Sequence, residues 1–239
     1  ADLRVDHVYL ISCKYGSKIL MNSSPYNLFE GRLAVRESGN VNWFDEVAPQ
    51  EYRDLYSEVR RLLPAAGLPK DVSELTRPQR NHIRKTLPRR LGGDAGVAYH
   101  TMNVAVADES VRRWTRALRT PAAREEMIWR LLRFQAAPYF ILGQGDHGQP
   151  IRVRVATPWD VRNRYEFVDL TIEAGARRQA VVGWRATFRD RESGALQSAV
   201  GHVQIRWSHG KFGQVPEAKV YLDTPYDQVP GYFTLGSDH

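Results

Sequence analysis

The spacing of apolar and polar positions along this 239-residue chain changes once, near Pro138, from the 3.6 period of helices to the 2 period of strands. Strand signals also precede the helices. Residues 5–15, VDHVYLISCKY, are dense in aromatic and β-branched side chains and predict a single strand buried on one or both faces, with Asp6, Val8, Leu10, Ser12 and Lys14 on one side. Gly16 and the cluster Asn22-Ser23-Ser24-Pro25 are turn signals around a short return strand at 18–21. Ser24 then caps a helix through Phe29 and Leu33, with Pro25 at its first position. Pro49 opens an amphipathic helix whose apolar face is Tyr52, Leu55, Tyr56, Val59, Leu62 and Leu63. Past the linker PAAGLPK, Ser73 predicts the N-cap of a basic helix that runs to Thr86, before Pro88. The alanines of 95–107 favour helix, and Asp108 predicts the cap of a separate helix over 111–118 with Trp114 inward. Pro121 opens another, buried along Met127, Ile128, Leu131, Leu132 and Phe134.

Beyond Pro138 the pattern predicts strands at 139–142, 151–156, 165–172, 180–189, 199–208 and 218–222. Turns at GQGDHGQ, EAGARR and DRESG join them as an antiparallel meander. The fold class is therefore α+β: a strand and helical region, 1–136, followed by a mostly antiparallel β region, 137–239. The alternative is one α+β domain in which strand 5–15 joins the later sheet. Val182, Trp184, Ala186 and Phe188, paired through DRESG with Val203, Ile205 and Trp207, make a core face holding both tryptophans. Arg185, Arg189, His202, Gln204 and Arg206 occupy the other face. If 218–222 pairs with 199–208, Glu217 and Lys219 join His202 and Arg206 there.

Composition narrows the class. Hydrophobic residues make up 42% of the chain, enough for a real core. Mean hydropathy is −0.48, and no apolar run approaches the ~18 residues of a membrane span. The opening ADLRVDHVYL is not a signal peptide, and the missing initiator Met points to a piece removed upstream. The lone Cys13 excludes an intrachain disulfide and a CxxC zinc site. It predicts a buried thiol and a reducing, cytoplasmic compartment.

Net charge is +7 and unevenly spread: residues 74–90 hold Arg77, Arg80, Arg84, Lys85, Arg89 and Arg90 against the single acid Glu74. Such a cluster suits a polyanion, with double-stranded DNA the expected partner. Arg124, Arg130 and Arg133 form a second basic surface. Ser17, Lys18, Asn22, Ser23 and Ser24 are donor types that contact phosphates. A two-stranded ribbon fits the DNA major groove, where Arg185, Arg189, His202, Gln204 and Arg206 could read bases. His209, Gly210 and Lys211 sit at a strand end, where His209 is a candidate general base and Lys211 a phosphate contact. Tyr99, His100 and Asn103 form a small polar group if their segment is helical. No GxSxG, P-loop or HExxH is present, and the seven histidines show no tight metal spacing.

Two short motifs carry a resemblance. LISCK at 10–14 is a hydrophobic strand ending at Lys14, and PEAK at 216–219 places Glu217 two residues before Lys219. A strand ending in acid-x-Lys with another acid nearby resembles the PD-(D/E)XK nuclease superfamily. The likeness covers 20 to 30 residues. It departs from the pattern where Ser12 stands in the acid's place and where Asp6 lies on the same strand. The resemblance implies an α/β-core endonuclease of restriction type, cleaving phosphodiesters with Mg²⁺ and open to acting as a homodimer. Lys14, Glu217 and Lys219 would be catalytic, and Asp6 and Glu217 would be metal ligands; His209 joins the catalytic candidates by its strand-end position alone. Two alternatives remain open: a metal-independent base-excising glycosylase, and a non-catalytic nucleic-acid-binding module. A basic scaffold that binds protein is a further possibility.

Overall fold

The computed structural model describes residues 2–6, 9–15, 18–31, 41–145, 148–176 and 179–236. β1 (Leu3–Val5) and β2 (Tyr9–Tyr15) form an antiparallel hairpin with Val5 opposite Tyr9 and Leu3 opposite Ile11. This corrects the single strand expected over 5–15. The chain reverses after Asp6, whose φ of 50° is left-handed, so Asp6 does not share a strand face with Ser12 and Lys14. Val8 lies outside the described residues. Cys13 is exposed, not buried.

β3 (Ile19–Ser23) does not return onto β2 but pairs with a strand near the other end of the chain. Next come α1 (Pro25–Phe29, capped by Ser24), α2 (Trp43–Val47) and α3 (Pro49–Leu62). Leu33, the expected end of the first helix, lies outside the described residues. α4 (Arg77–Thr86) starts later than expected. Thr76, not Ser73, is its cap, through a capping box with Gln79. α5 (Gly93–Ala117) is one helix where two were expected. Its buried row Met102, Val106, Ser110 and Trp114 continues at i+4 straight past Asp108, which faces solvent. An isolated Asp caps only where the following turn has no reason to continue, and here packing supplies one. α6 (Pro121–Leu131) follows, capped by Thr120.

β4 (Tyr139–Gln144), β5 (Pro150–Val155), an unforeseen short α7 (Pro158–Arg164), β6 (Tyr165–Ala176), β7 (Ala180–Asp190), β8 (Leu196–Arg206), β9 (Glu217–Leu222) and β10 (Tyr232–Thr234) complete the order. The expected hairpins β4–β5, β6–β7 and β7–β8 all form, though in two sheets. One sheet runs β1-β2-β4-β5-β10, with β2 parallel to β4. The other runs β3-β9-β8-β7-β6 and is antiparallel throughout. The class is α+β, and each sheet takes strands from both ends of the chain.

Two sets of polar contacts fix the N-terminal elements. Arg113 of α5 reaches Glu30, Glu46 and Glu109 at 3.1, 2.9 and 2.9 Å, and its guanidinium lies over Trp43. This clamps α1 and α2 to the long helix. At the junction of the sheets, Lys14 Nζ donates to the Ile19 carbonyl at 2.7 Å and Arg133 to the Leu20 carbonyl at 3.0 Å. Buried side chains from both sheets and from the helices form one contiguous core. α5 covers β6 and β7 on one side, which leaves the opposite face of the second sheet open.

Candidate nucleic-acid interface

The open face is organised by register. Gln204 pairs with Lys219, Arg206 with Glu217 and His202 with Tyr221. The β8–β9 pairing thus places Glu217 and Lys219 beside His202 and Arg206, as the alternation predicts. Trp184 and Trp207 lie on the buried side. The ribbon's cations divide, however. Arg185 and Arg189 sit toward the other end of β7, opposite Val200 and Leu196, and Arg189 faces Glu166 at 3.7 Å. Glu217 and Lys219 form an ion pair at 3.0 Å.

Where β8 ends, a basic cavity of about 870 Å³ opens between it and the α4–α5 connection. Arg84, Arg89, Arg90, Arg206, His209 and Lys211 line it together with Tyr99, His100 and Asn103. Local sequence explains how these segments meet. A side chain at Gly210, which has a φ of +95°, would collide with the stem of Arg84, so glycine there lets α4 lie against the loop. Lys211 donates to the carbonyls of Arg89 (2.8 Å) and Pro88 (3.3 Å), fixing the segment that carries Arg89 and Arg90. Arg80 is spent on structure: it donates to the carbonyls of Leu75, Phe212 and Val72. The wall beneath is aromatic, with Trp207 against Phe44, Tyr52, Tyr99 and Phe212.

The electrostatics of this cavity favour an anion. Burial pushes the Lys211 ammonium below its ordinary pKa and the Tyr99 phenol above its own. Arg206 Nε and Ser208 Oγ are buried without a hydrogen-bond partner among the described residues. Phosphate oxygens are the acceptors that suit the guanidinium and ammonium groups lining the cavity. The helical reading of Tyr99, His100 and Asn103 holds, and all three reach this cavity. Arg77 and Lys85 are exposed on α4, and Lys18 is exposed at the start of β3. None of these three lines the cavity.

A second cavity of about 790 Å³ adjoins the first on the open sheet face, sharing Gln179 and Arg206 with it. Glu173, Gly183, His202, Gln204 and Asp223 are among its lining residues. His202 Nδ1 lies 2.8 Å from Asp223 Oδ2, and its ring stacks on Tyr221 with centroids 4.8 Å apart. Glu173 and Asp223 were not picked out by sequence reasoning. The signal for Glu173 is the strand register, which sets it opposite Gly183 and Gly183 opposite His202.

The residues of the nuclease resemblance do not gather into one place. Asp6 lies at the β1–β2 turn in the first sheet, and Glu217 begins β9 in the second. Lys14 is bonded to the Ile19 carbonyl, and burial pushes its pKa down. An acid does stand beside Ser12: Asp2 accepts from the Cys13 N–H at 2.6 Å, which holds its carboxyl below the usual value, and from Ser12 Oγ at 3.2 Å. Among the described residues no group of three or more His, Cys, Asp or Glu is placed to hold a metal ion. The donor set therefore does not fit the Mg²⁺ expected from the resemblance. Among the described residues, no helix is long and apolar enough to cross a membrane. No family model, curated protein or solved structure matches the chain.

Proposed function

We propose that the protein binds nucleic acid, with strand phosphates held in the basic cavity between the α4–α5 connection and the end of β8. The observation that carries this reading is the convergence of Arg84, Arg89, Arg90, Arg206 and Lys211 on one recess. A recess of about 870 Å³ is the size of a small-ligand pocket. It admits one strand with its bases splayed, whereas a duplex would stay at the rim. Phosphate neutralisation by five cations predicts strong salt dependence. The slope of log K against log salt is about −3.5 for a single strand, from roughly −0.7 per phosphate contacted.

The test is fluorescence anisotropy with single-stranded RNA, single-stranded DNA and duplex DNA over a salt series. Arg89→Glu with Arg90→Glu should weaken single-strand binding at least tenfold and flatten the slope. Affinity indifferent to salt and to that double substitution would overturn the reading.

A further inference from the structure

The second cavity has a feature that phosphate binding does not use. Across the open face, one row of the sheet runs Glu173, Gly183, His202, Tyr221 on four adjacent strands. Strands lie about 4.8 Å apart, so the backbones of Glu173 and His202 are about 10 Å apart. Between them Gly183 presents no side chain, and a Cβ there would press on the Glu173 side chain at 3.1 Å. The Glu173 side chain leans into that space, its Oε1 3.4 Å from where the Cβ would stand, so its carboxylate reaches over Gly183 toward the imidazole on the next strand. Asp223 takes Nδ1 of His202, at 2.8 and 3.0 Å from its two oxygens, and so turns Nε2 toward the cavity. There the Gln204 amide lies 3.4 Å away. Its oxygen and nitrogen exchange places by a half-turn, so it serves either protonation state of the ring. Arg206, shared by both cavities, makes the space over Gly183 continuous with the phosphate recess.

We propose that Glu173 and His202 are the base and acid of a metal-independent RNA-cleaving site, an inference that rests on the nucleic-acid reading above. A strand held by its phosphates in the basic cavity passes over Gly183. The Glu173 carboxylate takes the proton of a ribose 2′-hydroxyl, and the 2′-oxygen forms a bond to the adjacent phosphorus. The bond from phosphorus to the 5′-oxygen breaks, and that oxygen takes the Nε2 proton of the His202 imidazolium. The products are a 2′,3′-cyclic phosphate and a free 5′-hydroxyl. One proton is taken and one given, so no metal or added water is required. The nucleophile belongs to the substrate, which is why RNA and not DNA is the class cleaved. Asp223 is a positioning residue for the ring.

The experiment incubates the full chain, in EDTA, with a mixed-sequence single-stranded RNA and with its DNA and 2′-O-methyl counterparts, while anisotropy reports binding in parallel. All three should bind and only the unmodified RNA should be cut, leaving cyclic phosphate ends. Glu173→Gln and His202→Asn should each slow cleavage about 100-fold or more without changing affinity. Asp223→Asn should slow it less. Circular dichroism and a thermal melt confirm that each variant is folded, and Glu173→Gln, on the exposed edge strand β6, keeps the shape of the side chain. RNA bound but uncut, or cut equally well by folded Glu173→Gln and His202→Asn, overturns the cleavage site and leaves the binding reading standing. RNA neither bound nor cut overturns both.

Discussion

Lys211 does two jobs that pull against each other. Its ammonium donates to the Pro88 and Arg89 carbonyls and sits 5.5 Å from the centre of the Tyr99 ring, inside a recess already crowded with Arg84, Arg89, Arg90 and Arg206. Burial lowers its pKa, so the folded protein holds this proton less tightly than the unfolded chain does. The sign follows: as pH rises through the lowered pKa toward the ordinary lysine value, the unfolded state binds more protons and this group's contribution to stability grows. A bound phosphate reverses the preference by favouring the charged form. Strand binding at alkaline pH should therefore take up a proton, and affinity should fall before an exposed lysine would titrate. Lys211→Arg stays charged throughout that range and should flatten the dependence. Calorimetry in two buffers of different ionisation enthalpy reads the proton uptake directly. Equal uptake in Lys211→Arg would assign the proton to another group.

At the scale of elements, alternation is what made β7, β8 and β9 readable, because a half-buried strand allows only one register per face. Val182, Trp184 and Phe188 point in, so Arg185 and Arg189 point out, whatever the rest of the fold does. The pairing of β2 with β4 carries no such local mark: the strands are parallel, more than 100 residues apart, and both rich in apolar residues. The cost of that pairing is visible at Gly143, where φ is +153° and a Cβ would run into the Lys14 carbonyl. α4 shows the opposite case, a start signal written in the sequence but shifted by three residues. Ser73 and Thr76 are both capable caps, and Thr76 prevails because Gln79 completes its box while Asp71 engages the Ser73 N–H. Thr76→Ala should cost about 1 kcal/mol in a urea melt. It should leave strand binding intact, since Arg84 stands in the last turn and the other cavity cations lie beyond the helix. Lost binding at unchanged stability would mean that the first turn of α4 also touches the strand.

For the whole molecule, the decisive question is what joins the two sheets, because the only lysine of the N-terminal hairpin stands at that joint. Read in sequence, Lys14 is a phosphate-directed side chain on a hydrophobic strand. In the fold it points to the start of β3, and with Arg133 it donates to two consecutive carbonyls of that edge strand. This role was invisible beforehand because β3 belongs to the sheet built by the last third of the chain, pairing Asn22 with Lys219. The catalytic and structural assignments of Lys14 separate cleanly in one variant. Lys14→Met keeps the stem and removes the ammonium, leaving the Ile19 carbonyl without that donor. The loss should cost about 1 kcal/mol, a single intramolecular hydrogen bond, less whatever is regained by no longer burying a charge. Hydrogen exchange should rise locally in β3 and the adjoining edge of β9, because the joint and not the core has been loosened. RNA binding and cleavage per folded molecule should be unchanged, since the basic cavity and the Glu173–His202 pair lie on the face served by β6, β7 and β8. Loss of cleavage in Lys14→Met with β3 exchange unaltered would place this lysine in the chemistry, and would return the centre of the site from the open face of the second sheet to the hairpin at the beginning of the chain.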